Sequence, residues 1–76
     1  MGETYTQVEG VGTRSISTMI KQNFANADEL TPWEIEFSAD MEDQHRLRLG
    51  GTNWLSVNQL NIIERIYKKL HAKGVV

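Results

Sequence analysis

Two short stretches of this sequence have the pattern of a helix start, and they constrain the fold more than any other feature. The first is "LTPWEI", residues 30–35, in which Thr31 stands at the cap position ahead of a first turn. A threonine there accepts a hydrogen bond from the backbone N–H three residues later, and Glu34 at that position returns one to the backbone of the cap. Pro32 occupies the first helical position, where no N–H is needed. The stretch therefore predicts a helix that begins at Pro32.

The second stretch, "LSVNQL" at residues 55–60, repeats the pattern with different residues. Ser56 takes the cap position and Gln59 closes the capping box. In both stretches an apolar residue precedes the cap and another follows the box, as in a hydrophobic staple. Two separately started helices in 76 residues leave room for short connections only, which predicts helices packed against helices.

Apolar residues at three- and four-residue spacing indicate three helices. The first is predicted from about Ser15 to Ala25, the second from Pro32 to about Leu47 or Arg48, and the third from Val57 to about Ala72. The third helix has the widest apolar face, which predicts that it contacts two neighbours. That face comprises Leu60, Ile62, Ile63, Ile66, Tyr67 and Leu70. Narrower apolar stripes comprise Ile16, Met19, Ile20 and Phe24 on the first helix and Trp33, Phe37, Met41 and Leu47 on the second.

Residues 1–12 contain three glycines and few large apolar side chains, so we expect that burial does not offset the entropy lost on ordering them. They are predicted to form a flexible tail, and residues 13–76 a single helical domain. No segment alternates apolar and polar residues over more than a few positions, as a strand would. The predicted fold class is therefore all-α, a compact three-helix domain with a flexible N-terminal tail.

The sequence gives little support to a catalytic or metal-binding role. It has no cysteine, which excludes disulfides, thiolate zinc sites and a thiol nucleophile, and favours an intracellular setting. The carboxylates of the second helix fall on a face that is predicted to be exposed, and His45 and His71 are expected to be surface or edge residues on different helices. We therefore predict a non-enzymatic protein with no catalytic residue, no metal site and no cofactor.

Charge is distributed unevenly along the chain. Nine of the ten acidic residues lie in residues 1–43, and six of the eight basic residues lie in residues 44–76. One interpretation is that an acidic helix and a basic helix lie together in one bundle. The other is a partner-binding surface, formed by the basic side of the third helix, a tryptophan and two arginines near the end of the second helix. The residues predicted for this surface are Arg46, Arg48, Trp54, Asn61, Arg65, Lys68, Lys69 and Lys73.

Two motifs carry a resemblance to a known group of proteins. The pattern L-T-x-W-E-x-x-F at residues 30–37, followed by a charged helix and by L-S-x-x-Q-L-x-x-I-E-R-I-Y-x-K at residues 55–69, resembles a short helical segment of bacteriophage-encoded and related bacterial proteins. The resemblance implies a phage or bacterial origin and a role near the machinery of transcription or replication. Some proteins of this kind carry zinc-binding cysteines, and their absence here leaves a metal-dependent role without support.

The leading functional prediction is a small phage-type regulator in the cytoplasm of a bacterial host, which binds a host or phage protein of the transcription or replication apparatus. The alternative is a DNA- or RNA-binding domain that uses the basic face of the third helix, because arginine and asparagine contact phosphates and base edges. A third interpretation is a small homo-oligomer, if two short helices do not cover the apolar face of the third. No apolar run approaches the roughly 20 residues of a membrane span, so no membrane partner is expected.

Overall fold

The computed structural model describes residues 4–76, which contain two strands, three α-helices and one 3₁₀ turn. Along the chain these are β1 (Tyr5–Val8), β2 (Gly12–Ser15), α1 (Ile16–Ala25), the 3₁₀ turn (Ala27–Glu29), α2 (Pro32–Leu47) and α3 (Val57–Ala72). The two strands form an antiparallel hairpin that leads directly into α1. α1 in turn packs against both α2 and α3.

The hairpin makes the fold α+β, so the predicted all-α class is wrong. Strand β1 and the turn after it occupy most of the segment that was predicted to be a flexible tail, and the predicted boundary between residues 12 and 13 falls inside β2. Residues 1–3 of that predicted tail lie outside the described residues. The glycines have a specific role here, because Gly10 takes a φ of +77° at the third position of the turn, where other residues are strained. Val11 N–H closes this turn on the carbonyl of Val8 at 3.0 Å.

Contacts with the rest of the chain explain why the hairpin forms from such short strands. Val8 is fully buried in the main core cluster, and the Thr6 hydroxyl donates to Glu64 Oε2 on α3 at 3.0 Å. A two-stranded hairpin is marginally stable by itself in water. Its stability therefore comes from partners about 58 positions away in the sequence, which local periodicity does not detect.

All three predicted helices are confirmed, and so are both capping boxes. The Thr31 hydroxyl accepts from Glu34 N–H at 3.3 Å while Glu34 Oε1 accepts from Thr31 N–H at 2.9 Å. The same pair of bonds joins Ser56 and Gln59, at 3.1 and 2.9 Å. Each box satisfies N–H groups that a helix start otherwise leaves unpaired.

The core forms where α3 meets α1 and the hairpin. The wide apolar face of α3 is buried as predicted, through Ile63, Ile66, Tyr67 and Leu70. From α1 the core receives Ile16, Met19 and Ile20, whereas Phe24 of the same predicted stripe is 44% exposed. The wide apolar face of α3 packs mainly against α1, and the Thr6–Glu64 bond joins α3 to the hairpin, whereas α1 is the helix that packs against both of the others.

The second helix packs differently from its predicted apolar stripe. Only Met41 of that stripe is buried, Phe37 is half-buried, and Trp33 and Leu47 are 60% and 67% exposed. The buried face of α2 also contains Ser38 and His45. The expectation that His45 is a surface or edge residue is wrong, because its Nε2 lies 2.9 Å from the Ser17 hydroxyl of α1 in the interior. A polar partner on the facing helix allows a polar residue to be buried here.

Candidate partner-binding surface

Lys69, predicted for the partner-binding surface, is engaged within the chain. Its Nζ lies 2.7 Å from Glu34 Oε1, the same oxygen that accepts the Thr31 N–H at the start of α2. Burial alone raises the pKa of Glu34, but the hydrogen bond from Lys69, the bonds from Thr31 and the charge of Lys69 together lower that pKa below its ordinary value. Lys69 therefore stabilises the ionised glutamate and joins α3 to the start of α2.

Two further lysines, Lys68 of α3 and Lys73 just after its end, are paired with acidic residues from the first half of the chain. Lys68 Nζ lies 3.5 Å from Glu9 Oε1 in the hairpin turn. Lys73 Nζ lies 3.6 Å from Glu29 Oε1 and donates to the Glu29 carbonyl at 3.0 Å. Exposed pairs of this kind contribute about 0–1 kcal/mol each and exchange readily with solvent. Part of the charge asymmetry thus joins acidic and basic segments of the same molecule, as one of the two interpretations of the sequence expected.

Asn61 and Arg65 remain on the exposed face of α3, opposite the core. Within residues 4–76, Arg65 forms no ion pair. Lys68 shares this face, since residues at positions i, i+4 and i+7 of a helix lie above one another. Together these three residues form a small polar surface with one unpaired guanidinium.

The two arginines near the end of α2, Arg46 and Arg48, contact different side chains. The Arg46 guanidinium pairs with Asp43 and, at 3.5 Å, with Glu42, so its charge is offset on the acidic side of α2. The Arg48 guanidinium lies 5.4 Å from the ring centroid of Trp54, within the range of a cation–π contact. The structure therefore brings Arg48 to Trp54, as the sequence suggested, and places Arg46 elsewhere.

Trp54 is half-buried, and both its ring and its indole N–H contact other parts of the chain. Its ring packs against the main core cluster, and its Nε1–H donates to the Gly51 carbonyl at 2.6 Å. A tryptophan with one polar edge bound and one face accessible is common in protein interfaces. The Arg48 contact covers part of the remaining face, so this pair presents an aromatic surface with a positive charge.

Sequence analysis missed the leucines beside this pair. Leu49 is 96% exposed and has a φ of +55°, the left-handed conformation that leucine rarely adopts. Leu47 is two-thirds exposed, and Val57, at the start of α3, is 78% exposed. We call Leu47, Arg48, Leu49, Trp54 and Val57 the α2–α3 corner. The one sequence signal that includes these leucines is the alternation in "RLRLGG", residues 46–51, which is too short to predict a strand.

Hydrogen bonds hold the corner in one conformation. Gly50 N–H donates to the His45 carbonyl at 2.8 Å, a bond that spans five residues and closes the end of α2. Gly51 N–H donates to the Arg48 carbonyl at 3.0 Å. The Thr52 hydroxyl donates to the Thr4 hydroxyl at 3.0 Å, which ties the loop to the chain ahead of β1. Leu49 and Gly50 both adopt the left-handed conformation at this end of α2.

The described residues form neither a metal-binding cluster nor a membrane-spanning helix. Among residues 4–76 no group of three or more histidine, cysteine, aspartate or glutamate side chains is placed to hold a metal ion. None of the helices in the described part of the chain has the length and apolar character needed to cross a membrane. Comparison of the whole chain with protein-family models, with curated proteins and with solved structures yields no match.

Proposed function

We propose that this chain is a small non-enzymatic binding module that docks through the α2–α3 corner on a protein of the bacterial transcription or replication apparatus. The observation that carries the proposal is Leu49, a leucine almost wholly in solvent and in a left-handed conformation. The class of partner, the bacterial cytoplasm and a phage-type regulatory role come from the resemblance of residues 30–69 to phage-encoded helical segments.

The exposed leucine supports docking on a protein rather than on nucleic acid. Burying a leucine side chain contributes about 1.5–3 kcal/mol, and Leu49 obtains almost none of this in the isolated chain. A left-handed leucine costs the fold about 1–2 kcal/mol. The Leu49 N–H bonds to the Arg46 carbonyl at 3.1 Å, but its side chain is almost wholly exposed in a strained conformation, which supports a contact of that side chain with another molecule. Strained residues of this kind cluster at binding sites.

The rigidity of the corner supports the same conclusion. Its backbone is closed by the bonds of Gly50 and Gly51, and the Trp54 side chain is fixed by Gly51. Binding then requires little further ordering of the loop, and the entropy lost on association is correspondingly smaller. The corner combines the exposed Leu49 with Arg48 stacked on Trp54, and tryptophan and arginine are enriched among the residues that dominate interface energies.

Nucleic-acid binding is the second candidate function, favoured by Asn61 and by Arg65, which lies on the exposed face of α3 and forms no ion pair within residues 4–76. The lysines that would accompany them on phosphates are engaged with Glu9, Glu34 and Glu29. Binding to phosphates would have to displace those carboxylates, and the chain carries a net charge of −2. This candidate predicts an affinity that falls steeply with added salt and with Arg65→Ala.

The proposal is tested by cross-linking capture from bacterial lysate with identification of the captured protein. The variant is Leu49→Asn, because asparagine tolerates the left-handed conformation and keeps the fold. The control is Val75→Asn, which alters another exposed apolar residue outside the regular helices, beyond the opposite end of α3 from the corner. We expect the wild-type chain and the control to capture the same protein of transcription or replication, and Leu49→Asn to lose it. Equal capture by all three chains, or capture of an unrelated protein only, would contradict the proposal.

A further inference from the structure

A second surface lies on the outer side of α2, where the end of α1 and one face of α2 border an open groove of about 710 Å³. Its apolar part is formed by Phe24, Trp33 and Phe37. The rings of Trp33 and Phe37 are stacked, with centroids 5.5 Å apart and an angle of 9° between their planes. We call this surface the α2 groove. None of its residues belongs to the α2–α3 corner.

The aromatic residues of the groove are not accounted for by the core. Trp33 is 60% exposed and Phe24 44% exposed, although both fall in the apolar stripes that sequence periodicity assigns to the interior. Neither is a member of the two buried clusters, whereas Phe37 is half-buried and packs against both. A contiguous exposed aromatic surface of this kind is characteristic of an interaction site on a soluble protein.

The charged side chains that line the groove indicate the charge of the ligand that it can bind. Four carboxylates line it, from Glu36, Asp40, Glu42 and Asp43, against a single guanidinium from Arg46. Arg46 is already paired with Glu42 and Asp43. Within the described residues, Glu36 and Asp40 form no ion pair, and they flank the stacked rings along the helix. The groove is therefore negative beside an aromatic surface, which disfavours nucleic acid and anionic lipid and favours cations.

We propose that the α2 groove binds a basic amphipathic segment of a partner protein, in which arginine or lysine alternates with aliphatic residues. A guanidinium over the Trp33 face gains a cation–π contact, and the same side chain reaches the carboxylate of Glu36 or Asp40. An aliphatic side chain beside it packs against Phe24 and Phe37. The groove thus accepts an apolar anchor and a cation together.

A second copy of this chain fits the groove less well than a separate basic partner. The chain's own alternation of arginine and leucine, residues 46–49, is exposed, but Arg46 is paired with Glu42 and Asp43 and Arg48 lies over the Trp54 ring. The three lysines at positions 68, 69 and 73 are paired with the chain's own acidic residues. Charge complementarity therefore favours a partner that brings several unpaired cations. With the corner at the end of α2 and the groove along its outer face, one helix would bind two proteins of different chemistry.

The test uses the full chain and two synthetic peptides of about 14 residues. In the first, arginines and leucines are placed at the three- and four-residue spacing of an amphipathic helix. In the second, glutamate replaces each arginine. Binding is measured by calorimetry, and the contact surface by amide and indole chemical-shift changes in NMR. We expect only the arginine peptide to bind, with affinity that falls several-fold between 50 and 300 mM salt, and with the largest shifts at the Trp33 indole and the amides around Asp40.

Three variants distinguish binding in the α2 groove from a non-specific attraction between the arginine peptide and the acidic residues of the chain. Trp33→Ala is expected to weaken the arginine peptide by about tenfold or more, and Asp40→Asn by about three- to tenfold. Asp28→Asn removes an exposed acidic residue outside the groove and is expected to leave affinity unchanged. Because Trp33 is mostly exposed, the fold of Trp33→Ala should be retained, and its circular dichroism spectrum checks this.

Several results would overturn the inference. Equal binding of both peptides, equal weakening by Asp28→Asn, or no loss with Trp33→Ala would each show that the groove is not the site. Chemical-shift changes confined to the α2–α3 corner would assign the peptide to the other surface. Self-association of the chain in sedimentation, lost in Asp40→Asn, would show that the occupant is a second copy. The corner variant Leu49→Asn should bind the peptide normally, so failure here is distinguishable from failure of the proposed function.

Discussion

Helices α2 and α3 have the same length, 16 residues, and the same kind of capping box, but they serve the molecule in different ways. α3 buries a continuous apolar face, and the lysines on it and just after its end pair with acidic residues of the hairpin, the 3₁₀ turn and α2. α2 buries a mixed face with Ser38, Met41 and His45, while aromatic and aliphatic residues stay outside. The comparison teaches that the basic helix buries its apolar face and has two of its lysines paired within the molecule, whereas exposed aromatic and aliphatic residues lie along α2 and at its end.

The largest expected effect comes from making the same substitution in both helices. Leu70→Ala in α3 removes a fully buried side chain and should lower the free energy of unfolding by about 2–5 kcal/mol. Leu47→Ala in α2 changes a residue that is two-thirds exposed and should lower it by less than about 1 kcal/mol. Urea denaturation followed by circular dichroism measures both. Similar losses from the two variants would contradict the division of roles.

A smaller effect is expected from the two helix starts. Thr31→Ala and Ser56→Ala should each lower the free energy of unfolding by about 1 kcal/mol, because each removes a capping hydrogen bond. The loss of unfolding free energy should be greater by about a few tenths of a kcal/mol for Thr31→Ala than for Ser56→Ala, because Glu34 of the Thr31 box also forms an ion pair with Lys69 of α3. Thermal unfolding of the two variants and their double mutant checks this order. A larger loss at Ser56 would show that the Glu34–Lys69 pair does not reinforce the start of α2.

The pH dependence of stability tests the same pair with a smaller expected effect. Because the pKa of Glu34 is lower in the folded state, the unfolded chain binds the proton more readily. Glu34 therefore contributes to the free energy of unfolding fully above the ordinary glutamate pKa of about 4.3. This contribution is lost as the pH falls through the lower pKa that Glu34 has in the folded state. Since the pair is partly exposed, we expect at most about 1 kcal/mol.

The variant Lys69→Met should flatten this pH dependence, and Lys73→Met serves as the control, because it removes a lysine just after α3 that pairs with Glu29 instead. Urea denaturation at a series of pH values between neutral and acid measures the slope. An unchanged slope in Lys69→Met would show that Lys69 does not lower the pKa of Glu34.

Local signals made the helices predictable. A capping box is formed by residues three apart, so Thr31 with Glu34 and Ser56 with Gln59 fix a helix start from adjacent sequence alone. The hairpin was not predictable in this way, because its strands have four residues each and Val8 becomes buried only when the helices are in place. Periodicity also misplaced the buried face of α2, where the contact of His45 with Ser17 on the facing helix is the deciding feature.

The candidate surfaces were predictable in part. The nearness of Trp54 to the arginines before it follows from a short connection, and the structure places Arg48 on its ring. The pairing of three lysines within the chain depends on how the hairpin, the 3₁₀ turn and α2 surround α3, which the sequence does not state. The exposure of Leu49 and of Trp33 depends equally on the final packing, because both belong to patterns that sequence alone assigns to a helix end or a core.

The central claim is that the exposed Leu49 side chain binds a partner protein and that its left-handed conformation lowers the stability of the fold. The variant Leu49→Asn tests this claim most directly. Asparagine is less strained in the left-handed conformation, so the free energy of unfolding in urea should rise by about 0.5–1 kcal/mol while capture of the partner is lost. Leu47→Asn, at a helical position beside it, should not raise stability. A fall in stability for Leu49→Asn with partner capture retained would show that this leucine serves the fold, and would contradict the account.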